Sequence, residues 1–445
     1  MKDLNKIFNP ENVAVIGAKS EKGSVGQGLM ENALQGKRKV FAVNPFRKEA
    51  MGSKTFPSIL DIPGKVDLAV VAVPAKSVLN VVSECCRKKV KGIIVISSGF
   101  AEVGRKDLQD EISGLAQKNG IPLIGPNCLG IIRPGSGLNA SFAPAFPKEG
   151  GIAVISQSGA LMDSIIDRSL LENYGFSALV SYGNGANLGL NDFLEWFGND
   201  EKTRAIVLYL EGIEEGRDFL KIARKVSQKK PVFVLKAGKT SAGKTAAATH
   251  TGSLAGSYEI YKAVFKQAGL KESESLEEMF DAAKASAWQP GIRNGVGVVT
   301  NGGGYGVLAA DCCSRYGVEL VKLSASTKKK LRSCGKMNSF FSPVNPLDIL
   351  GDASAERYEA AVNCLLGQKN VNGLIVLQTP QIMTETEKNA RIIAKAQKKY
   401  PKKAIVCVLS GGKFALPGIE ILERNHIPVY SDPKRAVMAM RNLIE

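Results

Sequence analysis

Imidazole is scarce in this chain: its 445 residues include only two histidines, His250 and His426. Zinc sites built from several imidazoles are thereby excluded, and any imidazole chemistry traces to one of two positions. Eight cysteines occur, four of them in the adjacent pairs Cys85-Cys86 and Cys312-Cys313, but there is no C-x-x-C. Neither a metal ribbon nor a thioredoxin-type redox site is therefore supported, and reduced, buried thiols are expected. No apolar run approaches the roughly 18–20 residues of a membrane-spanning helix. The nearly uncharged stretches, such as Leu68 to Ala75, have the length of a strand. The opening MKDLNKIFNPENV lacks the apolar core of a secretory signal, so a cytoplasmic protein without a membrane partner is expected. Aromatic residues are only 7%, and the basic residues fall in separate clusters such as Lys37-Arg38-Lys39, Arg87-Lys88-Lys89 and Lys328-Lys329-Lys330. Without a continuous basic and aromatic stripe, nucleic acid is not an expected partner. The net charge of +17 then reads chiefly as solvated surface, with anionic small molecules as its other use.

What is present is the composition of ordinary globular domains, 44% hydrophobic and 23% charged. The length is about three times a domain of roughly 100–150 residues. Short runs of Val and Ile alternate with longer amphipathic stretches, which is the pattern of βα units and parallel sheets. The first block offers strands at Val13–Gly17, Val40–Asn44, Asp67–Val73, Gly92–Ser97 and Pro122–Gly125. After it comes GIIRPGSGLNASFAPAFPKEGG, whose Pro and Gly content argues for a linker without regular structure. A second block has strands at Ile152–Ile155, Ser177–Ser181, Ala205–Leu210 and Val232–Lys236, and a third at Val296–Thr300, Leu374–Leu377, Ala404–Leu409 and Val429–Tyr430. The second and third blocks match in outline: ISQSGA answers to TNGGGY, AIVLYLEG to GLIVLQTP and KKPVFVLKAG to KKAIVCVLSGG. This reads as an imperfect internal repeat, or as the general likeness of two α/β domains.

Several strand ends carry residues able to do chemistry. Gly17, Ala18, Gly23, Ser24, Val25 and Gly26 join the first strand to a helix, and small residues there let backbone approach a phosphate at the helix N-terminus. The spacing is not G-x-G-x-x-G, and the second strand ends in Val43-Asn44-Pro45 where an NAD site would place an acidic residue, so NAD is disfavoured. Tight turns that need glycine are the plainer reading. Polar, Gly- and Pro-rich turns also follow the third, fourth and fifth strands, at 72–75, 97–102 and 125–128. A long ligand lying across the carboxyl edge of the sheet would use them together. Gly238 to Thr245, GKTSAGKT, satisfies the P-loop pattern but runs on into AAATHTGS, with no clear downstream carboxylates for magnesium. His250 lies in that small-residue run, where an imidazole can act as a nucleophile near neutral pH, whereas His426, before a strand, reads as a packing residue. Ser156-Gln157-Ser158-Gly159 and Asn301-Gly302-Gly303-Gly304 each follow a strand and open a helix, an arrangement able to hold an anion. Glu211, closing the apolar strand AIVLYL, is placed to orient the imidazole or simply to face solvent.

Taken in order, VAVIGAKSEKGSVG, FAVNP, AVPA, SSGFAE, GPNCLG, ISQSGALMD, SYGNGANLGLNDFLEWF, LYLEGI, LKAGKTSAGKTAAATHTGSLAG and TNGGGYGVLAAD span nearly the whole chain. With them the sequence resembles the NDP-forming acyl-CoA synthetases, relatives of succinyl-CoA synthetase. The resemblance implies an α/β fold: a Rossmann-like CoA-binding domain at 1–130, a linker at 131–150, and two flavodoxin-like domains at 151–290 and 291–445, the first with a phosphohistidine loop. It implies an acid–thiol ligase, the α subunit of an ADP-forming acyl-CoA (acetyl-CoA) synthetase. Phosphate would cleave the thioester to an acyl phosphate, His250 would accept the phosphoryl group, and Glu211 would orient His250. CoA or acetyl-CoA would be held by Gly17, Ala18, Lys19, Ser20, Gly23, Ser24, Val25 and Gly26, by Asn44 and Pro45, and by Val73, Pro74 and Ala75. Ser97, Ser98, Gly99, Glu102, Asn127 and Cys128 would complete that site. Phosphate would lie at Ser156, Gln157, Ser158 and Gly159 and at Asn301, Gly302, Gly303 and Gly304, and SYGNGANLG would line the acyl pocket. No metal is expected on this chain itself. ADP or ATP with magnesium would come through a β subunit carrying an ATP-grasp domain, for which this chain has no room, in an α2β2 heterotetramer. A CoA-binding regulatory protein is the alternative.

Overall fold

Runs such as Leu68–Val71 and Ala205–Leu210 are apolar at nearly every position, which suits strands covered by helices on both faces. The computed structural model describes residues 4–36, 38–251 and 257–445, and the side chains of residues 247–251 are not among those described. Among the described residues there are three sheets, arranged in two compact units, Met1–Glu274 and Ser275–Glu445. No helix among them is long and apolar enough to cross a membrane.

The first sheet contains β1 (Asn12–Ile16), β2 (Lys39–Val43), β3 (Glu49–Ala50), β4 (Ser53–Phe56), β5 (Leu68–Val71), β6 (Gly92–Val95) and β7 (Leu123–Ile124). Their order is β3-β4-β2-β1-β5-β6-β7, and every pairing is parallel except the β3–β4 hairpin. With β4 counted third, this is the doubly wound order 3-2-1-4-5-6, whose topological switch point lies between β1 and β5. Gly17 is required where β1 turns into its helix: its φ is +93°, and a Cβ would come within 2.2 Å of the Ala72 carbonyl oxygen.

The second sheet corrects the expectation for 131–150. β8 (Gly130–Arg133) and β9 (Leu138–Ser141) form an antiparallel hairpin inside the expected linker, and β10 (Glu149–Ser156) already begins there. All eight residues of β8 and β9 are buried, including Ile131, Ile132, Leu138 and Ala140, so the apolar positions outweigh the Pro and Gly between them. Pro134 sits in the turn that joins the strands, where proline's fixed φ is tolerated. The sheet continues with β11 (Phe176–Ser181), β12 (Ala205–Leu210), β13 (Val232–Lys236) and β14 (Lys271–Glu272), in the order β14-β13-β12-β10-β11-β8-β9. This sheet and the first share one apolar cluster. Phe8 stacks on Trp196 at 4.2 Å between ring centroids, Arg133 lies 5.0 Å from the Trp196 ring centre, and Arg133 pairs with Asp200 at 2.9 Å. Asn32 Nδ2 donates to the carbonyls of Ser141 and Ala143, each at 2.9 Å.

The other unit holds β15 (Val296–Thr300), β16 (Leu347–Asp348), β17 (Gly373–Gln378), β18 (Ala404–Leu409) and β19 (Val429–Tyr430), all parallel, ordered β16-β15-β17-β18-β19. The parallel part of the second sheet, β11-β10-β12-β13-β14, has the same order, 2-1-3-4-5. The two blocks that match in sequence thus share the flavodoxin-like winding. One boundary moves. Helix Leu276–Trp288, expected at the end of the second block, packs within Ser275–Glu445. Asp281 receives both Nε and a terminal nitrogen of Arg435 at 2.7 Å, and Lys284 pairs with Glu423 in the same buried layer. Eight of the helix's thirteen residues are buried, too many for a helix held on one side only.

Candidate active site

A cavity of about 610 Å³ opens at the switch point of the first sheet. The β5 turn supplies Val73, Pro74 and Ala75, the β6 turn Ser97 and Ser98, and Val25 begins the helix after β1. Asn127 and Cys128 follow β7, and Phe142 follows β9. The opposite wall is the start of helix Gly159–Leu171, with Gln157, Ser158, Gly159 and Asp163. One hollow therefore joins eight of the residues expected to hold CoA to three of those expected to hold phosphate.

The remaining residues of the first turn do not line this cavity, and their contacts shape the local backbone. The N–H groups of Gly17 and Ala18 both point to the Val43 carbonyl, and Asn44 Nδ2 donates to the Ala18 carbonyl at 2.8 Å. Gly26 lets its helix approach closely, since a Cβ there would lie 2.2 Å from the Gly17 carbonyl oxygen. Ser24 caps that helix by accepting from Gln27 N–H, and Ser20 Oγ accepts from Met51 N–H. Lys19, Gly23 and Pro45 are exposed. Glu102 is a brace: its carboxylate accepts from Gly99 N–H, Phe100 N–H and Asn184 Nδ2, and Asn184 also donates to Gln109. Burial pushes the Glu102 carboxyl up, but these hydrogen bonds outweigh it and hold the group below its ordinary value. The Cys128 thiol donates to the Val95 carbonyl and is pushed up to about 12 by burial, so it stays protonated.

The turn Ser156–Gly159 is tightly built. Ser156 Oγ accepts from Ser158 N–H at 3.0 Å and donates to the Ser158 carbonyl, while Ser158 Oγ caps the helix by accepting from Leu161 N–H. Gln157 Oε1 accepts the N–H groups of Glu211 and Gly212, tying this turn to the end of β12. Glu211 is 8% exposed, its carbonyl accepts from Lys236 Nζ at 2.8 Å, and its carboxylate is hydrogen-bonded to Tyr209. Burial, then the charge and hydrogen bond of Glu211, raise the Tyr209 hydroxyl; burial lowers the Lys236 ammonium against the opposing pull of Glu211. Segment 181–189 largely lines a second, polar cavity of about 360 Å³, with Tyr182, Asn184 and Asn187 facing Glu214 and Glu215. Gln157 belongs to both hollows.

His250 falls within helix Ser241–Thr251, and its side chain lies outside the described residues. That helix begins at Ser241, inside the P-loop-like octapeptide, so Gly243, Lys244 and Thr245 are helical residues rather than a phosphate loop. Lys239 is held by Glu272 at 2.8 Å and Glu274 at 3.2 Å. In the other unit, the Asn301 side chain is 1% exposed and committed to its neighbours: Nδ2 donates to Thr379 O and Gln381, and Oδ1 accepts Thr379 N–H. Gly302 N–H donates to Thr300 Oγ1, which leaves Gly303 and Gly304 at the start of helix Gly303–Tyr316. No group of three or more possible metal ligands occurs among the described residues. Asn184 belongs to the SYGNGANLG segment expected to line the acyl pocket, whereas Asp163 carried no expected role. Asp163 belongs to the ISQSGALMD motif, which was the one signal that could have found it.

Three family models match: a CoA binding domain over residues 11–134, a succinyl-CoA ligase like flavodoxin domain over 149–286 and a ligase-CoA domain over 296–440. An ADP-forming acetate–CoA ligase of Archaeoglobus fulgidus is 42% identical over 98% of this chain and 63% of its own length. One from Methanocaldococcus jannaschii is also 42% identical, over 99% of this chain and 63% of its own. The chain thus spans less than two thirds of those two relatives. It covers 97% of the α subunit of an ADP-forming acetate–CoA ligase II from Pyrococcus furiosus, at 39% identity and 99% of this chain. Among solved structures, a dinucleotide forming acetyl-coenzyme A synthetase 1 of Ca. Korarchaeum cryptofilum, in complex with phosphate and ADP, superposes with a TM-score of 0.94 at 38% identity, covering 100% of this chain and 96% of that one. With that length, identity and three-sheet architecture in common, the chain belongs to the family of ADP-forming acetate–CoA ligases and aligns along its whole length with their α subunits.

Proposed function

We propose that this chain is the CoA- and phosphate-binding α subunit of an ADP-forming acyl-CoA synthetase acting on acetyl-CoA or a similar small acyl-CoA. The reaction is acyl-CoA, ADP and phosphate to acid, ATP and CoA, through an acyl phosphate and a phosphohistidine at His250. Residues 1–130 bind CoA, 151–290 carry phosphate and the phosphohistidine segment, and 291–445 carry a second anion turn of the same build. A β subunit with an ATP-grasp domain supplies ADP and magnesium binding, in an α2β2 assembly in the cytoplasm.

The observation that carries this reading is the 610 Å³ cavity, which runs from the switch point of a doubly wound sheet to the N-terminus of helix Gly159–Leu171. A crevice at a switch point is where such sheets take nucleotide-like ligands, and a helix N-terminus holds about half a positive charge for an anion. A thioester whose CoA lies along the β5, β6 and β7 turns would meet phosphate at Ser158 and Gly159. Glu211, buried and fixed through Gln157, Tyr209 and Lys236, orients the imidazole of His250. At the second turn, Gly303 and Gly304 offer backbone N–H groups, whereas Asn301 works by shaping the turn.

The assembled enzyme incubated with ATP labelled in its terminal phosphate should yield an acid-labile, base-stable phosphoprotein, and His250→Ala should yield none. ATP formation from acetyl-CoA, ADP and phosphate at the wild-type rate by His250→Ala would refute the assignment.

A further inference from the structure

Asp163 lines the 610 Å³ cavity one helical turn beyond Gly159, and the reaction as written gives it no part. Its Oδ1 is buried with no hydrogen-bond partner among the described atoms. Half-burial that leaves this oxygen without a donor disfavours the charged form, and burial raises the carboxyl to about 6. Its surroundings leave it electrostatically alone. From the neighbouring elements the cavity receives the hydroxyls of Ser97, Ser98 and Ser158, the amides of Asn127 and Gln157, and the Cys128 thiol. No lysine, arginine or second carboxylate lines it among the described residues. Cys128, the other titratable lining group, is pushed up to about 12 and already donates to Val95.

We propose that Asp163 is the residue that hands a proton to the CoA sulfur when the thioester is cleaved and takes it back when the thioester forms. The proposal rests on the CoA-and-phosphate reading of the cavity given above. In cleavage, an oxygen of the phosphate dianion bonds to the acyl carbon and the carbon–sulfur bond breaks with its electron pair going to sulfur. The Asp163 carboxylic acid gives its proton to that thiolate and becomes a carboxylate. The proton left on the new acyl phosphate, a stronger acid than phosphate, returns to Asp163 or to water, so the net products are the acyl phosphate dianion and CoA thiol. A thiol has an ordinary pKa of about 8.5, so protonation by a carboxyl runs downhill. An acid that titrates near the working pH is also the most effective general acid.

The test uses the chain assembled with its β subunit, with acetyl-CoA and inorganic phosphate as probes. Asp163→Asn should lower kcat for thiol release by about 10²-fold with little change in KM for acetyl-CoA, and should remove the wild-type limb in the pH profile near about 6. Asp163→Glu should restore part of both. A second readout needs no turnover: calorimetry of acetyl-CoA binding in buffers of different ionisation enthalpy at a pH of about 6.5. Wild type should take up a proton as the ligand desolvates Asp163, and Asp163→Asn should take up none. Wild-type kcat and an unchanged limb in a folded Asp163→Asn overturn the proposal alone. If the wild-type protein binds neither CoA nor acetyl-CoA, the reading of the cavity falls, and this proposal with it.

Discussion

At the carboxyl end of β10, Ser156 and Ser158 close a small loop through the Ser156 hydroxyl; at the end of β15, Thr300 and Gly302 close the same loop through Thr300 Oγ1. The next residue also repeats its role. Gln157 accepts the N–H groups after β12, and Asn301 accepts the N–H after β17. The two turns differ in what stands at the register position beside them. Ser156 is opposite Ser181, a neutral hydroxyl, whereas Thr300 is opposite Asp348. A Cβ on Gly303 would lie 2.9 Å from Asp348 Oδ2, so the second helix already has an anion at its N-terminus. A helix terminus with its own carboxylate has less potential left for an external anion. The repeat therefore conserves the scaffold of an anion turn twice and leaves only the first with a neutral side chain at this position.

The largest test of that contrast copies the charge of the second turn into the first. Ser181→Asp places a carboxylate beside Gly159, where about 4 kcal/mol of repulsion at roughly 4 Å and an effective dielectric constant near 20 should raise KM for phosphate by about 10²-fold or more. Steady-state kinetics on the assembled enzyme, with circular dichroism to show it folded, give the answer; an unchanged phosphate KM would mean that the first turn does not bind the anion. Next in size is Asn301→Ala. It leaves the half-buried partners of Asn301, Thr379 and Gln381, without their hydrogen bonds and should cost about 2–3 kcal/mol in urea unfolding. A change of a few tenths would show that this turn does not depend on its amide. Smallest is Ser158→Ala, which removes the cap of helix Gly159–Leu171 for about 1 kcal/mol. Gly302, which has no side chain to lose, offers no such cap, so a Ser158→Ala midpoint equal to wild type would erase the distinction between the two helix starts.

Much of this could be read in the residues. Every strand of five or more apolar-rich residues was placed within a few positions, because helices on both faces demand unbroken Val and Ile, and the matched segments of the second and third blocks became the same strand order. The short strands β3, β4, β14 and β16 went unseen, being too brief to show a period. The hairpin β8–β9 was hidden by the Pro134 and Gly135 between its strands, and helix Leu276–Trp288 joined the following unit through Arg435 and Glu423, which lie more than a hundred residues away. In the site, the pattern of small residues located the turns but could not separate those that face the cavity from those, like Gly17 and Gly26, that permit close packing.

The sequence alone, then, determined the longer strands, the likeness of the second and third blocks and the loops able to meet an anion, since these depend on local periodicity and on residues a few positions apart. It also restricted imidazole chemistry to His250 or His426. Only the tertiary structure decided that the β5, β6 and β7 turns share one hollow with helix Gly159–Leu171, that the Glu102 carboxylate braces its own turn, and that Asp163 lines that hollow with its carboxyl raised by burial. Burial and the neighbours of a charge are properties of surfaces brought together from distant parts of the chain, and no local spacing encodes them.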